Sequence, residues 1–330
     1  MPTISDVAAR AGVSTATVSR ALNGKATVDP ELAARVRQAA DELGYQPNGP
    51  ARNLRRQEAA VVALIISDVE NPFFTAIARG VEDVAHEVGY SVVLCNSDES
   101  AEKENRYIDI AIQERVAGVI LSPSGPASGV AKLAARGTAY VAIDRPLADH
   151  ASDLVLVDTR LAAAEATAHL VAEGYKRIGC LSGPAGVRTA DDRLAGYRDA
   201  LRTAKHRGST RLVRRAEYKA AGARRAALDL LSQPEPPDAL LVANNAMAVG
   251  VLQALRELTL RPGRDVGVVA FDDAPWAELL DPPLTVVAQP AYEIGTVAAR
   301  LLLARIADNT RPPTVTTLGA RLIERASSRR

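Results

Sequence analysis

Apolar residues at the start of the chain recur with the period of an α-helix. In the stretch TISDVAARAGVSTATVSRALN, residues 3–23, the first apolar positions fall at i, i+3, i+4 and i+7: Ile4, Val7, Ala8 and Ala11. Thr3 and Asp6 have the spacing of a capping box, which favours a helix start. Gly12 supplies a residue that readily adopts the left-handed conformation of a helix end. The pattern predicts a short amphipathic first helix.

A second short helix is predicted directly after Gly12. Ser14 is a candidate N-cap, and Val13 with Val18 forms a hydrophobic staple that sets the angle between the two helices. Val18 and Leu22 are expected to point inward. The outward positions are then Thr15, Ala16, Ser19 and Arg20. Two helices at a fixed angle, with small and polar residues outside, describe a helix-turn-helix, although an ordinary helical hairpin has the same pattern.

The outer face of the second helix has the chemistry needed to read DNA in the major groove. Thr15 and Ala16 are small enough for the backbone to approach the bases, and Arg20 can pair bidentately with a guanine. Hydroxyl donors for phosphate oxygens are Ser14, Thr17 and Ser19. Thr3 and Asn23, at the two ends of the element, complete this part of the DNA-binding set.

A third helix follows, and it completes a small N-terminal headpiece. Asp29 before Pro30 is a typical helix start, because proline is well tolerated at the first helical position. The predicted apolar stripe is Leu32, Val36, Ala39, Ala40 and Leu43. Gly44 ends the helix. The run YQPNGPARNLRR, residues 45–56, comes next.

With these motifs the sequence resembles the LacI/GalR-type (lactose/galactose repressor) family. The residues that carry the resemblance are DVAARAGVSTATVSRALNG, ELGYQPN and ARNLR, and the likeness continues along nearly the whole chain. The resemblance implies a helix-turn-helix DNA-binding headpiece at residues 1–45 and a hinge helix at 46–58. Residues 59–330 are then expected to bind an effector and to dimerise.

The hinge segment contributes the remaining DNA-binding candidates. Asn48 can cap a helix over about residues 49–56, far below the roughly 12 to 15 residues that an isolated helix needs in water. In the family this hinge folds on the operator, and its leucine, by motif match Leu54, wedges into the minor groove. Arg52 and Arg55 add local positive charge. A plain linker is the alternative interpretation.

From residue 59 onward, short β-rich apolar runs alternate with helical stripes. The runs are 61–67, 91–96, 118–122, 139–144, 153–157, 177–183, 238–244 and 266–273. Continuous apolar runs predict strands buried on both faces, and their alternation with helices predicts parallel sheets. One predicted helical stripe is Ile77, Val81, Val84 and Val88. This number of strands is too large for one ordinary sheet, and we therefore expect two similar lobes.

The family resemblance implies how the elements are arranged. The fold class is α + α/β, with the three-helix headpiece and hinge helix followed by a two-lobed periplasmic-binding-protein-like α/β effector domain. The chain is expected to cross between the lobes three times. Lobe one is expected at about 60–157 and 288–317, and lobe two at about 158–287 and 318–330.

Polar residues follow several predicted strands, at the carboxyl ends where open α/β sheets bind ligands. By motif match the family's effector contacts fall on Phe73, Phe74, Asp144, Thr189, Arg193, Tyr218, Asn244 and Asp272, and Asp68 and Arg145 lie beside them. Such residues hydrogen-bond vicinal hydroxyls or stack on a ring, for which Trp276 is a further candidate. Alternatively, Asn244 only caps a helix and Asp272 only holds a loop. Asn245 stands where the family commonly has aspartate.

Composition restricts the partners. The 330 residues suit two or three domains, and the net charge of +1 means that any nucleic-acid site must be local. Cys95 and Cys180 lie in apolar runs and are predicted to be small buried hydrophobes. The four histidines show no metal-ligand spacing, so we expect no metal and no cofactor. Without a signal peptide or an apolar span we expect a cytoplasmic protein that does not bind membranes. The terminal ASSRR is expected to fray.

The favoured hypothesis is a sequence-specific transcriptional regulator, most simply a repressor, controlled by a sugar or sugar derivative. A homodimer would place two headpieces on palindromic double-stranded operator DNA. In an alternative, the effector is a purine or other metabolite that acts as a co-repressor. A solute-binding protein would need an export signal and no headpiece. An α/β enzyme is disfavoured because GxGxxG, GxxxxGK[ST] and GxSxG motifs are absent.

Overall fold

The computed structural model describes residues 2–22, 28–45, 59–125, 129–147, 152–206 and 210–330. The chain forms two units that divide between Ala59 and Ala60, and each has its own core. The predicted hinge helix falls outside the described residues. So do five predicted DNA-binding residues: Asn23, Asn48, Arg52, Leu54 and Arg55.

The described part of the first unit is a bundle of α1 (Ile4–Ala11), α2 (Thr15–Leu22) and α3 (Pro30–Leu43). Thr3 and Asp6 form the predicted capping box, since each side chain accepts a hydrogen bond from the other residue's backbone N–H. Gly12 (φ 64°) and Gly44 (φ 62°) end α1 and α3 in the left-handed conformation. One valine from each helix is fully buried: Val7, Val18 and Val36. The predicted three-helix headpiece is confirmed.

The second unit alternates strands and helices. Its strands are β1 (Ala59–Ile66), β2 (Ser91–Asn96), β3 (Val116–Leu121), β4 (Ala139–Ile143), β5 (Asp153–Val157), β6 (Ile178–Ser182), β7 (Val213–Arg215), β8 (Ala239–Val242), β9 (Gly267–Phe271), β10 (Thr285–Ala288), β11 (Val315–Leu318) and β12 (Arg321–Ile323). Its α-helices within the described residues are α4 (Pro72–Glu87), α5 (Ala101–Gln113), α6 (Val130–Ala135), α7 (Thr159–Ala172), α8 (Arg188–Thr203), α9 (Ala220–Leu231), α10 (Asn245–Glu257) and α11 (Ala291–Ala307). None of these described helices has the length and apolar character needed to cross a membrane.

All eight predicted strands are present, and they belong to two six-stranded sheets among the described residues. The strand orders are β11-β5-β4-β3-β1-β2 and β12-β10-β9-β8-β6-β7. In the second sheet β12 runs antiparallel to β10, while the other pairs are parallel. The four strands that were not predicted, β7, β10, β11 and β12, have only three or four residues each, too few to give a clear period.

Helices cover both sheets and define two lobes. We call the first sheet with α4, α5, α6 and α11 lobe one, and the second sheet with α7, α8, α9 and α10 lobe two. The chain passes between the lobes after β5, after β10 and after β11. In lobe one, α4 and α11 cross at reciprocal glycines. A Cβ on Gly80 would lie 2.2 Å from the carbonyl oxygen of Tyr292, and one on Gly295 would lie 2.1 Å from that of Ile77.

Strand β2 differs from the expectation of burial on both faces. It is the edge strand of the first sheet, so Val93 and Leu94 remain 49% and 42% exposed. Cys95, on the same strand, is only partly buried, whereas Cys180 on central strand β6 is buried as predicted. Val88 is also exposed, because it follows α4 as its C-cap residue and lies beyond the buried stripe.

The C-terminus was expected to fray, but the structure shows that it packs into lobe two. Strand β12 pairs with β10 and carries the following residues back into lobe two, where Ser327 and Ser328 are completely buried. Ser327 Oγ donates to the carbonyl of Val268 at 2.7 Å and accepts from the backbone N–H of Thr285 at 2.8 Å. Small hydroxyl side chains therefore satisfy buried backbone groups here, which is why a polar end of the chain can be part of the core.

Candidate functional site

The outer face of α2 is the candidate DNA-reading surface of the headpiece. Thr15, Ala16 and Arg20 are exposed as predicted, and so is Ser14. Ser19 was expected on the same face but is only 8% exposed. It follows Val18 directly, and its small side chain lies at the edge of the helix surface that packs in the headpiece core. Ser19 is therefore removed from the exposed phosphate-donor set.

Local hydrogen bonds hold this surface in place. Ser14 Oγ accepts from the backbone N–H of Thr17 at 3.1 Å, as an N-cap does, and lies 2.9 Å from Thr17 Oγ1. Arg20 Nε donates to the carbonyl of Ala16 at 3.2 Å, one turn earlier. This bond directs the exposed side chain of Arg20 along the outer face of the helix.

A cavity between the two lobes brings together all ten effector-binding candidates. Its lining contains Asp68, Phe73, Phe74, Asp144, Arg145, Thr189, Arg193, Tyr218, Asn244 and Asp272. Three further residues line it that the sequence did not single out: Asn71, Glu99 and Gln289. The residues enclose about 360 Å³ free of protein atoms, including the opening to solvent. Trp276 is not among them and packs instead against the core of lobe two.

The wall formed by lobe one centres on Arg145. Its guanidinium donates to both carboxylate oxygens of Glu99 at 2.7 Å, in a bidentate pair. Its Nε lies 3.3 Å from a carboxylate oxygen of Asp144 but lacks hydrogen-bond geometry. Ser122 Oγ reaches the same carboxylate at 3.5 Å. The positive charge of Arg145 is thus largely compensated within its own lobe.

The wall formed by lobe two centres on Arg193 and Asp272. Arg193 donates to the carbonyl of Ala243 at 2.5 Å, and its guanidinium carbon lies 4.2 Å from the ring centroid of Phe271. Gln289 Nε2 donates to Asp272 Oδ1 at 2.6 Å. These contacts fix the orientation of both charged groups before any ligand binds.

Several buried polar atoms of the lining have no protein partner. Within the described chain, Nε of Arg145, Nε of Arg193 and Oε1 of Gln289 are buried and make no hydrogen bond. Leaving such groups unpaired costs roughly 1–3 kcal/mol each. A donor and an acceptor left open in the same cavity are what ligand hydroxyls, which both accept and donate, can satisfy.

Asp144 and Asp272 occupy equivalent places in the two lobes. Each directly follows a central strand, β4 or β9, and each has a positive φ, 65° and 71°. Non-glycine residues reach this region at some energetic cost, although aspartate tolerates it better than most. The turn directs both carboxylates from the strand ends into the cavity.

Burial raises the pKa of both carboxyl groups. For Asp144 the loss of solvation outweighs the attraction of Arg145 and Arg193, and the pKa lies above its ordinary value. For Asp272 the loss of solvation is again the largest cause, opposed by Arg193 and reinforced by the negative charge of Asp144. The two carboxylates therefore repel each other across the cleft, and a ligand that donates hydrogen bonds to both relieves this repulsion.

Three aromatic rings complete the lining. Phe73 and Phe74 lie in the first turn of α4 and contact each other edge to face, with ring centroids 5.0 Å apart. Tyr218 is buried from lobe two, its hydroxyl lies 3.4 Å from Thr189 Oγ1, and burial raises its pKa. The three rings supply apolar surface of the kind on which a sugar ring or a base stacks.

Asparagine side chains act as helix caps at the edge of the cavity. Asn244 Oδ1 accepts from the backbone N–H of Met247 at 2.8 Å, so Asn244 is the N-cap of α10, and its amide nitrogen remains for a ligand. Asn71 caps α4 and also accepts a 3.0 Å hydrogen bond from Asn245 Nδ2 in the opposite lobe. Asn245 thus joins the lobes through a neutral contact.

The missed lining residues had weak signals. Asn71 precedes Pro72 and has the pattern of a helix start, so its residue type signals a cap rather than a ligand contact. Glu99 follows Asp98 in a turn in which both residues have positive φ, 53° and 57°, and no motif marks such a turn. Gln289 lies at a crossing between lobes, so its position depends on the tertiary arrangement.

Known proteins match both units of the chain. The model of bacterial regulatory proteins of the lacI family matches residues 3–48, and that of the periplasmic binding protein-like domain matches residues 167–328. The ribose operon repressor of Halalkalibacterium halodurans is 38% identical over 307 residues, which cover 93% of this chain and 91% of that protein. The ribose operon repressor of Escherichia coli strain K12 is 35% identical over 330 residues, covering 99% and 100%.

A solved structure extends the likeness to three dimensions. The crystal structure of the lac repressor dimer bound to operator and the anti-inducer ONPF matches with a TM-score of 0.87 and 26% identity, over 100% of this chain and 99% of that one. Sequence and structural matches thus include the headpiece and both lobes. The chain therefore belongs to the lacI family of bacterial regulatory proteins and is a DNA-binding transcriptional regulator.

Proposed function

We propose that this regulator is a repressor that binds a palindromic operator as a homodimer and responds to a neutral sugar in the cleft between the lobes. Residues 1–45 act as the DNA-binding headpiece, 46–58 as the hinge, and 59–330 as the effector-binding and dimerisation domain. One observation carries the proposal. The cavity is lined from opposite lobes by Asp144 and Asp272, with the partly unpaired Arg193 beside them.

The charges of the lining favour an uncharged polyol. Four carboxylates but only two guanidinium groups line the cavity. Because Glu99 already holds Arg145 in a bidentate pair, little positive charge is left for a phosphate or a carboxylate. Carboxylates that accept from vicinal hydroxyls, together with Phe73 and Tyr218, suit a monosaccharide. D-ribose is the first compound to test, since two relatives are ribose operon repressors.

Operator binding rests on the headpiece, and dimerisation on an exposed face. The exposed α2 face presents Arg20 beside small residues, as a recognition helix requires. In lobe one, Val93 and Leu94 are exposed on the edge strand β2. An edge strand with exposed apolar side chains supports self-association. A two-fold dimer would present its two headpieces to the two halves of a palindrome.

The proposal predicts selective capture of operator DNA. We expect the purified protein to retain, from sheared genomic DNA of its own source, fragments that share a palindrome, and D-ribose to release them. Arg20→Ala serves as the matched variant, because it is expected to lose about 1–3 kcal/mol at the base that Arg20 reads while its non-specific affinity changes little.

Two outcomes would contradict this proposal in different places. Fragments without a shared motif, or uniform weakening of all DNA by Arg20→Ala, would remove the recognition role of α2. A shared palindrome that D-ribose fails to release, but that a purine or another metabolite strengthens, would replace the sugar-released repressor by the co-repressor alternative. Neutral sugars, sugar phosphates and nucleobases are therefore titrated in parallel.

Effector affinity is expected to fall as the pH is lowered. The fall is expected at a higher pH than the ordinary pKa of aspartate would predict. The pKa values of Asp144 and Asp272 are raised by burial, and only the ionised forms accept hydrogen bonds through both oxygens. Binding is therefore at full strength above these raised pKa values and is lost as the pH falls through them. Calorimetric titration of D-ribose at decreasing pH measures this, with the fold monitored by circular dichroism. A constant Kd down to the onset of unfolding would contradict it.

A further inference from the structure

A lysine at the rim of the cleft joins the two lobes by charge. Lys219 belongs to lobe two, where it directly precedes α9. Its Nζ lies 2.9 Å from Asp68 Oδ2 and 3.0 Å from Asp98 Oδ1, both in lobe one. One ammonium group is thus shared between two carboxylates across the opening of the cavity.

The two carboxylates are held in position by their own lobe. Asp68 follows β1, and its Oδ1 accepts from the backbone N–H of Glu70 at 3.0 Å. Asp98 and Glu99 have successive positive φ values of 53° and 57°. This turn directs Asp98 towards Lys219 and Glu99 towards Arg145, so one strained turn supports both the latch and the wall of the cavity.

Lys219 has no role in lining the cavity or in capping its helix. It is not among the residues that line the cavity, and as the N-cap residue of α9 it makes no side-chain capping bond. Burial by itself lowers the pKa of Lys219, but the hydrogen bonds to Asp68 and Asp98 outweigh this effect and raise it. The pKa of Asp98 is lowered, chiefly by its hydrogen bond to Lys219. The contact between Lys219 and Asp98 is therefore ionic at neutral pH.

The other polar contacts that the described residues make across the cleft do not pair a positive with a negative side chain. Asn245 and Asn71 are neutral, and the guanidinium carbon of Arg145 lies 5.9 Å from the ring centroid of Tyr218. Among these contacts of the described residues, the Lys219 contact is the one that pairs opposite charges, and its lysine side chain is 41% exposed. Solvent ions can therefore reach and screen it.

We propose that Lys219 is a positioning residue that latches lobe two onto lobe one and thereby sets effector affinity without touching the effector. The latch concerns lobe closure alone, and only its effect on affinity rests on the proposed function. Because the latch is ionic and half-exposed, salt weakens it. The ease with which the cleft opens, and hence the effector response, then depends on ionic strength.

Lobe separation is tested in the full-length protein without effector. Nitroxide labels are attached at Gln113→Cys in lobe one and Glu235→Cys in lobe two, both exposed positions, in a Cys95→Ser background. Labelled chain is diluted with unlabelled protein, so that each dimer carries one pair. Pulsed electron resonance is expected to show longer and more broadly distributed distances for Lys219→Met. An unchanged distribution overturns the latch.

A matched control separates the latch from loss of any ion pair. Lys132 is 50% exposed and pairs with Asp109 inside lobe one, so Lys132→Met is expected to leave the distances unchanged. Asp98→Asn keeps the residue shape and suits a positive φ. Combined with Lys219→Met, it is expected to add nothing to the single variant, because both remove the same contact. Fully additive effects overturn the proposal.

Effector titration then reports the functional consequence. For D-ribose, Lys219→Met is expected to raise Kd by about threefold to tenfold, somewhat above the range of a single surface ion pair because the ammonium is shared by two carboxylates. It is also expected to remove the salt dependence of Kd that the latch predicts for the parent protein. Longer distances without any D-ribose binding by the parent would leave the latch standing and reject the assigned effector. An unchanged Kd and salt dependence in a protein that binds D-ribose overturn the role in affinity.

Discussion

Replacing Asp272 by asparagine is expected to abolish the effector response while operator binding without effector stays intact. The carboxylate is buried in the cavity, and Gln289 Nε2 fixes one of its oxygens. Asparagine has the same shape, tolerates the φ of 71° and can still accept from Gln289, so the fold should be retained. The lost charge-assisted hydrogen bonds are worth about 3 kcal/mol, or on the order of 100-fold in Kd.

The measurement combines calorimetric titration of D-ribose with operator affinity in its absence and presence. Asp229→Asn is the matched control, because Asp229 is also in lobe two but its side chain is 63% exposed and pairs with Arg214 at the surface. That variant should respond to D-ribose like the parent protein. If Asp272→Asn also loses operator binding without effector, Asp272 supports the loop rather than the effector, which was the alternative open from the sequence.

The largest loss of stability is expected for Arg305→Met. Asp153, at the start of β5, is completely buried, and Arg305 Nε on α11 donates to its Oδ2 at 3.0 Å. Without the guanidinium this carboxylate keeps the backbone N–H of Thr314 at 2.7 Å and the distant Arg311 at 3.9 Å. Removing one partner of a buried ion pair typically costs about 3–5 kcal/mol, because the remaining charge stays desolvated.

Urea unfolding of the full chain, followed by circular dichroism, gives the free energy of unfolding. Arg300→Met tests the same chemical change on the same helix, at an exposed position, and should alter stability by less than about 0.5 kcal/mol. Equal stability of the two variants would mean that Asp153 is compensated by its other donors. In that case the Arg305–Asp153 ion pair would not account for the attachment of α11 and β11 to β5.

Local signals were sufficient for the headpiece. The capping box of Thr3 and Asp6, the left-handed glycines and the helical period act within a few residues of one another, so the chain contains them before any tertiary contact forms. These local signals did not predict the burial of Ser19, because α2 has only two turns and its buried and exposed faces meet at that residue. Which side is covered depends on how the helices of the headpiece pack.

The residues that line the cavity were predictable from the sequence where they directly follow a strand. Asp144, Arg145 and Asp272 end continuous apolar runs, and parallel strands place their carboxyl ends at one edge of a sheet. Glu99 and Gln289 could not be found in this way. The first depends on a turn with two successive positive φ values, and the second on a crossing between the lobes.

The sequence by itself determined the three headpiece helices, eight of the twelve described strands, the two kinds of unit and most of the chemistry offered to DNA and to a ligand, because these depend on local period, capping and strand ends. Only the tertiary structure decided which apolar strand lies at an edge, that Ser327 and Ser328 belong to a core, and that Lys219 meets Asp68 and Asp98. These are contacts between segments far apart in the chain. No short-range pattern encodes them, since they exist only once each lobe has folded and, for Lys219, once the two lobes have met.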